Sequence, residues 1–238
     1  YSYIYSTLTD IDGFVNEAHA YIDRKALSAC KAADNMFEYD SETYVYRTWK
    51  TIIKSKLNDD KYKWDFSSLT RLDAIQKKND VFFEIKPDRW DWNYISQFGI
   101  CLLPEHKGKY LRKYRDRLNF GLISTREDIN IDDDMVQSFI EEEWNWKALS
   151  ANNSTKISFG FIFENREKAW DWNALSKNSS IKWDETKLRE LLKDSEIKSS
   201  ISWDDVVSKR ELHFNDALLD LMKDINFSWF NLSSNPSF

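Results

Sequence analysis

The sequence predicts an all-α fold, an α-solenoid of about seven two-helix repeats of 26–31 residues behind a helical N-terminal segment. Three observations support this prediction. A short phrase of residues recurs along the chain at a nearly fixed interval. Between its copies, apolar residues recur at helical spacing. Only three Pro and five Gly occur in 238 residues, which favours helices joined by short polar turns over an all-β fold.

The recurring phrase has a leading apolar residue, a cap residue (Asp, Asn or Ser), a central aromatic residue, two variable residues and a branched aliphatic residue. Its seven copies begin at Trp64, Trp90, Leu118, Trp144, Trp170, Ile201 and Phe227. Successive central aromatic residues are 26, 28, 26, 26, 31 and 26 positions apart. A period in this range is typical of stacked supersecondary units.

Each copy of the phrase predicts the start of a short helix. In the copy at Trp170, Asp171 is a good acceptor for the free N–H groups of a first turn, and Trp170 and Leu175 have the spacing of a hydrophobic staple. A Ser or Thr follows the aliphatic residue in six copies, and Asn152, Asn178 and Asn235 stand two residues later. Because Asn tolerates the conformation that ends a helix, this first helix is predicted to last about two turns.

A second, longer helix is predicted in most repeats. Asp184 has cap spacing to Leu188, and Leu188, Leu191 and Leu192 form an apolar stripe. The segments that begin at Ile131 and Phe214 follow the same arrangement. One such helix pair cannot bury its apolar face alone, whereas stacked neighbours can.

The tryptophans are predicted to pack between repeats rather than to bind a ligand. Nine of the eleven Trp belong to copies of the phrase, and a ligand-binding role for all of them would leave the repeats little to bury. The residues assigned this structural role, with three of the caps, are Trp90, Trp92, Trp144, Trp146, Trp170, Trp172, Asp91, Asn145 and Asp171. The caps interchange with Asn and Ser within one chain, so they are not general acids.

Two regions are predicted along the chain. Residues 1–60 carry no clean copy of the phrase and predict a divergent helical cap or junction, and residues 61–238 form the repeat array. The last repeat is expected to be truncated after its first helix, as in a piece of a larger protein. Extra residues at 193–200 are expected to lie between helices, where insertions are tolerated.

The amino-acid composition disfavours several classes of binding partner. The net charge of −6 disfavours nucleic acid and anionic lipid. Two Cys, Cys30 and Cys101, suit free thiols in a reducing, cytoplasmic compartment, and the three isolated His have no metal-ligand spacing. No apolar run has the length of a membrane span. We therefore expect no metal, no cofactor and no membrane partner, and make no prediction of oligomeric state.

A basic segment is the candidate for binding phosphates. It contains Tyr110 and Tyr114 among six cations, Lys107, Lys109, Arg112, Lys113, Arg115 and Arg117. The alternative, which we favour, is that these cations pair with acids of the next repeat, Asp132–Asp134 and Glu141–Glu143. Exposed pairs of this kind contribute about 0–1 kcal/mol each.

One motif is similar to the start of a nuclease site. Glu84-Ile85-Lys86 follows an apolar run, as does the Glu-x-Lys of many metal-dependent nucleases. However, Glu84 and Glu164 each lie six residues before a leading Trp, so both segments are predicted to be second helices. His19, His106 and His213 have no nucleophile at a recognisable spacing. We expect no enzymatic activity in this chain, and any catalytic domain to lie outside it.

The phrase Trp-Asp-Trp-x-x-Leu-Ser-x-Asn of Trp170–Asn178, almost intact in Trp144–Asn152, resembles tryptophan-rich repeats of large, mostly uncharacterised bacterial and giant-virus proteins. The resemblance covers residues 61–238, and the copies at Ile201 and Phe227 are weaker. It implies a recognition or scaffolding array, sometimes attached to an effector domain, and transfers no catalytic residue.

The leading functional hypothesis is a scaffold that recognises a protein or peptide partner. Its contact surface would include the variable positions that follow each central aromatic residue, namely Asn93, Tyr94, Lys147, Ala148, Asn173, Ala174, Asp204 and Asp205. The alternative is a nucleic-acid-sensing or regulatory region of an antiviral or nuclease effector. A third hypothesis is an architectural spacer.

Overall fold

The computed structural model of the protein describes residues 57–60, 65–71, 76, 82–104 and 108–238. The N-terminal segment predicted for residues 1–60, apart from its last four residues, lies outside this part of the chain, as do Trp64 and Lys107. In the described residues every regular element is a helix, and the β-type pairing is one isolated parallel bridge between Asp132 and Lys156. The predicted all-α class is confirmed for them.

Seven short helices each begin at a central aromatic residue, and we call them phrase helices. They are α1 (Phe66–Thr70), α2 (Trp92–Phe98), α4 (Phe120–Ile123), α6 (Trp146–Ala151), α8 (Trp172–Lys177), α11 (Trp203–Val207) and α13 (Trp229–Ser233). Between them lie α3 (Lys109–Lys113), α5 (Asp133–Ser138), α7 (Phe159–Glu164), α9 (Glu185–Leu191), α10 (Ser195–Ser200) and α12 (Asp216–Met222). Single 3-10 turns occupy Pro87–Arg89, Ile100–Leu102 and Arg115–Arg117.

The phrase helices start where they do because the cap residue satisfies a first-turn N–H. Asp91, Asn145 and Asp171 each accept a hydrogen bond from the backbone N–H three residues later, at 2.9–3.0 Å. Ser202 is an exception, because its hydroxyl hydrogen-bonds the Asp205 carboxylate at 2.5 Å instead of accepting from the backbone. Each cap is worth about 1 kcal/mol of helix stability.

The aliphatic residue of every phrase helix is buried. The seven side chains are Leu69, Ile95, Ile123, Leu149, Leu175, Val206 and Leu232. Burying a Leu, Ile or Val side chain contributes about 1.5–3 kcal/mol, so these residues hold the phrase helices in place more strongly than their caps do. The second helices bury their own stripes, as in Leu188 and Leu191 of α9 and Leu218 and Met222 of α12.

The chain divides into two compact units. The first contains the described residues up to Leu102 together with Lys113–Leu118, and the second contains Leu103–Arg112 and Asn119–Phe238. Within the second unit, phrase helices that follow one another in sequence also contact one another, α6 with α8, α8 with α11 and α11 with α13. The second helices α7 and α9 are in contact as well, and the rings of Phe159 and Trp183 stack with centroids 4.5 Å apart.

The insertion at 193–200 is not a loop. Residues Ser195–Ser200 form α10, and Asp194 caps it by accepting from the N–H groups of Glu196 and Ile197. The buried side chain of Ile197 anchors the helix, which packs against α8. The 31-residue spacing therefore adds a helical turn beside the array without separating α8 from α11.

Candidate recognition surface

A buried hydroxyl bridges neighbouring repeats. The Ser150 hydroxyl donates to the carbonyl oxygen of Trp146 in its own helix at 2.8 Å and accepts from the backbone N–H of Asp171 in the next repeat at 3.0 Å. Ser124 and Ser176 make the same pair of bonds within the second unit, and Thr70 makes it within the first. The Ser or Thr of the phrase is therefore a link between repeats.

A side-chain amide makes the second link, directed at the preceding repeat. The Asn178 Nδ2 group donates to the carbonyl oxygens of Ser150 and Asn152, at 2.9 and 3.2 Å. Asn152 and Asn235 donate in the same way to two carbonyls of the repeat before them. We call this place, six residues after the central aromatic residue, the tether position. Sequence reasoning assigned these asparagines only to helix ends.

At the tether position Lys209 replaces asparagine. Its Nζ donates to the carbonyl oxygen of Asn178 at 2.7 Å, so an ammonium group makes the link that an amide makes elsewhere. Burial lowers the pKa of Lys209. The nearby charge of Glu211 raises this pKa and that of Lys182 lowers it, and both effects are smaller than the effect of burial.

Arg126 occupies the same position one repeat before Asn152. It is buried and makes a two-pronged ion pair with Asp128 at 2.8 Å. This hydrogen bond holds the pKa of Asp128 below its ordinary value. Arg126 and Lys209 are not the Asn that the phrase has at this position. Their place six residues after a central aromatic residue is the sequence signal that could have identified them.

One link is remade by a different residue. Val207 stands where the other phrase helices have Ser or Thr, and it has no hydroxyl to accept a bond from the next repeat. Asp204 Oδ1 instead accepts a hydrogen bond from the backbone N–H of Ser228, at 2.6 Å. Asp204, predicted to be a variable contact residue, therefore also supports the stack.

The aromatic residues close the junctions. The indole N–H groups of Trp90, Trp144 and Trp170 each donate to the carbonyl oxygen five residues earlier, at 2.8–2.9 Å, where the preceding segment ends. The central aromatic ring of one repeat meets the leading Trp of the next edge to face, as in Trp146 with Trp170 at 4.8 Å. Trp170 and Trp172 are buried, whereas Trp92 and Trp146 are half-buried.

With these groups occupied by stacking, the position after the central aromatic residue is exposed in six of the seven phrase helices, and in α4 the half-buried Gly121 holds it. In the second unit Lys147, Asn173, Asp204 and Phe230 stand at this position on four successive phrase helices, and all are exposed. We call these four residues the exposed row. The four side chains differ in chemistry, and Asp204 among them also accepts a hydrogen bond from the next repeat.

In the first unit Asn93 holds the equivalent position and is also exposed. Its neighbour Tyr94 is half-buried, with the Arg71 guanidinium 4.7 Å from its ring centroid. The position after Asn93 is therefore partly committed to packing.

The basic segment is partly neutralised by the preceding repeat. Lys113 Nζ lies 2.8 Å from Glu84 Oε1, and Arg117 Nη1 lies 2.6 Å from Asp88 Oδ1. Burial lowers the pKa of Lys113, but the hydrogen bonds and charges of Glu84 and Tyr114 together outweigh burial and raise that pKa above its ordinary value. For these two cations the acids come from the preceding repeat, so the expected pairing with acids of the next repeat is wrong for them.

Other cations of the segment are on the surface. The exposed Lys109 places its ammonium 4.8 Å from the Tyr110 ring centroid, and Arg112 and Arg115 are exposed as well. Tyr110 and Tyr114, predicted to be interleaved with the cations on the binding face, are both buried. They are not available to stack on a base.

The nuclease motif is not assembled in the described residues. Glu84 lies in a turn after Phe82 and Phe83 and pairs with Lys113, and Glu164 is the last residue of α7. The described part of the chain contains no group of three or more His, Cys, Asp or Glu that could hold a metal ion. None of its helices has the length and apolarity required to cross a bilayer.

Comparison of the chain with models of known protein families, with curated proteins and with solved structures finds no match.

Proposed function

We propose that this chain is a non-catalytic α-solenoid of about seven repeats that recognises a protein or peptide partner through the exposed row. The main support for this proposal is the contrast between the positions that join the repeats and the position that follows each central aromatic residue. In most copies of the phrase, the hydroxyl, the tether group and the aromatic rings join one repeat to the next. The position after each central aromatic residue recurs in place but changes in chemistry, from Lys147 to Asn173, Asp204 and Phe230.

The stacking of phrase helices supports a linear recognition surface. Packed helices have axes about 8–10 Å apart, and an extended peptide advances about 3.3 Å per residue. One row position would thus face about every third residue of an extended partner. Lys147 would select an acid, Asp204 a base and Phe230 an apolar side chain, in that order or the reverse.

Nucleic acid is the less favoured partner. The net charge is −6, and two cations of the basic segment, Lys113 and Arg117, are paired with acids of the same chain. Phosphate binding through Lys113 or Arg117 would have to break these pairs. Such binding would also fall steeply with salt, whereas recognition of a peptide need not.

The test is selection of peptides from a displayed random library against the full chain, followed by binding measurements on the selected peptides. We expect an acid and an apolar residue at about nine residues' separation, which is three intervals of the row. Lys147→Glu and Phe230→Ala should each weaken binding about tenfold. The matched control is Lys156→Glu, which makes the same charge change at an exposed position outside the row.

Two results would contradict the proposal. One is peptides that bind equally well to the row variants and to the unaltered chain. The other is binding of labelled DNA or RNA that is lost between 50 and 200 mM salt, which about six or more phosphate contacts would produce.

A further inference from the structure

Each phrase helix exposes a second position on the same side as the exposed row. The residue four places after a row residue lies about one helical turn farther along, so the two side chains share one face of the helix. The Ser208 hydroxyl accordingly donates to the carbonyl oxygen of Asp204, and the Ser234 hydroxyl to that of Phe230, both at 2.8 Å. We call the four residues at this position in the second unit the second row, and all are exposed: Ala151, Lys177, Ser208 and Ser234.

Lys177 is the charged member of the second row. Ala151 has only a methyl group, and the hydroxyls of Ser208 and Ser234 are bonded to backbone carbonyls of their own repeats. Lys177 is exposed in the last turn of α8, one turn after Asn173 of the exposed row. The outer face of α8 therefore carries an ammonium group as well as an amide.

The two lysines of the rows are not neutralised by the chain itself. Within the described part of the chain, neither Lys147 nor Lys177 makes an ion pair, whereas the exposed Lys193 beside α9 pairs with Glu190 at 2.7 Å. A cation at the end of a helix is favoured by the helix dipole, which accounts locally for Lys177. Lys147 lies in the first turn of α6, where the dipole disfavours a cation, so helix stability does not account for both.

The charge presented to solvent changes along the stack. Lys147 and Lys177 lie on α6 and α8, which contact each other, and Asp204 lies on α11, which contacts α8. The bond from the Ser228 N–H to Asp204 Oδ1 holds that carboxylate in one direction. The order of charge from α6 to α11 is therefore positive, positive, negative.

We infer that the recognition face is two side chains wide and that Lys177 selects a second acidic residue of the partner. The partner is an extended protein segment with acidic side chains opposite α6 and α8, a basic one opposite α11 and an apolar one opposite α13. At about three residues for each phrase helix, its two acids are about three residues apart. This inference rests on the proposed function and adds to it the second acid and the residue that selects it.

The test is a charge swap in the peptide selection. The displayed random library is selected in parallel on the unaltered chain and on Lys177→Glu, and the enriched peptides are sequenced. On the unaltered chain we expect a second Asp or Glu about three residues from the acid that Lys147 selects, toward the apolar residue. On Lys177→Glu we expect Lys or Arg at that place, with the first acid and the apolar residue kept, because only the charge opposite α8 is reversed.

The size of the effect is measured with a labelled peptide selected on the unaltered chain. Lys177→Gln should weaken its binding about two- to fivefold at about 50 mM salt, because an exposed ion pair is lost. Lys177→Glu should weaken it about tenfold or more, because attraction becomes repulsion. Both effects should nearly disappear at about 1 M salt, where screening leaves little interaction between exposed charges.

The matched control is Lys223→Glu. It makes the same charge change at another exposed lysine that ends a helix, α12, and it lies outside both rows. The selected peptides and their affinities should be unchanged. Circular dichroism of each variant establishes that its helices are intact.

Three results would overturn the inference. The first is selection of the same peptides by the unaltered chain and by Lys177→Glu. The second is an equal loss of affinity in Lys177→Glu and Lys223→Glu, which would indicate a general effect of net charge. The third is binding of labelled RNA that Lys147→Glu and Lys177→Glu both abolish, which would assign the two lysines to phosphates.

Failure of the inference is distinguishable from failure of the proposed function. Peptides that depend on Lys147 and Phe230 but not on Lys177 would overturn the inference and leave the proposed function standing. Peptides that depend on no residue of the exposed row would overturn both.

Discussion

The tether asparagine offers the sharpest test of how the repeats are joined. Asn178 is buried, and its Nδ2 group donates to the carbonyl oxygens of Ser150 and Asn152 in the preceding repeat. Its Oδ1 accepts from the N–H of Ser180 at 2.8 Å and from the Ser180 hydroxyl at 2.6 Å. Asn178→Ala removes all four bonds with little change in apolar packing.

The expected loss follows from the burial of the groups left behind. Each intramolecular hydrogen bond contributes about 1 kcal/mol net, and a buried carbonyl without a donor costs about 1–3 kcal/mol. Ser180 is half-buried and recovers part of its loss by bonding water. We therefore expect Asn178→Ala to lower the free energy of unfolding by about 3 kcal/mol, a large part of the 5–15 kcal/mol typical of a domain.

The measurement is urea unfolding followed by tryptophan fluorescence and, in parallel, by far-ultraviolet circular dichroism. Repeat arrays can unfold in stages, so agreement between the two probes is required before one free energy is extracted. Hydrogen exchange should show faster opening near α6 and α8 than near α12. The matched control is Asn153→Ala, because Asn153 also accepts a bond from the next repeat, at Ser179, but is exposed. It should cost less than about 1 kcal/mol.

A nearly isosteric substitution separates hydrogen bonding from shape. Asn178→Asp keeps the acceptor oxygen but points a carboxylate at two carbonyls, and both burial and repulsion should raise its folded pKa. The unfolded chain then ionises first, so this variant should lose stability as pH rises above about 4 and regain part of it at lower pH. Equal stability of Asn178→Ala and Asn153→Ala, or an Asn178→Asp variant insensitive to pH, would refute the tether interpretation.

Three further changes probe the other links. Ser150→Ala leaves the N–H of Asp171 without its acceptor and should cost about 1–3 kcal/mol in urea unfolding. Lys209→Ala removes the donor to a carbonyl of the preceding repeat and should cost a similar amount. Because burial lowers the folded pKa of Lys209, the unaltered chain should also gain stability relative to this variant as pH rises toward the ordinary lysine value, about 10.4. Asp204→Ala frees the N–H of Ser228 and should cost about 1 kcal/mol, with faster hydrogen exchange confined to α13.

The controls for these changes are exposed residues of the same type. Ser154→Ala and Lys156→Ala alter exposed side chains and should change stability by less than about 0.5 kcal/mol. A Ser150→Ala variant as stable as Ser154→Ala would show that the hydroxyl does not join repeats. A stability difference between the chain and Lys209→Ala that is the same at pH 7 and pH 10 would show that the ammonium is not desolvated.

Much of the helical pattern could be predicted because capping is local. The Asp171 carboxylate bonds an N–H three residues away, so the start of α8 depends on a few consecutive side chains. The same holds for the α9 stripe, where Leu188 and Leu191 lie on one face by helical spacing alone. The insertion was misjudged as a connection because Asp194 and Ile197 form a capped helix without the rest of the phrase.

The candidate surface was predicted less completely, because it consists of the residues that remain exposed to solvent after neighbouring repeats have packed together. The position after each central aromatic residue was identified, since it varies while its neighbours recur. Asp204 was assigned to partner contact, yet it also accepts from Ser228, because Val207 has no hydroxyl. Tyr110 and Tyr114 were placed on a basic binding face, but both are buried, as only their packing environment reveals.

The sequence by itself determined the helical class, the starts of the phrase helices and the aliphatic residue that each of them buries, because the spacing of caps and apolar residues within a few positions indicates them. Only the tertiary structure decided that the Ser150 hydroxyl and the Asn178 amide connect one repeat to another, and that Lys209 and Arg126 occupy the tether position. A hydrogen bond across 21–31 residues depends on where two backbones meet, and a repeated spacing does not specify that geometry.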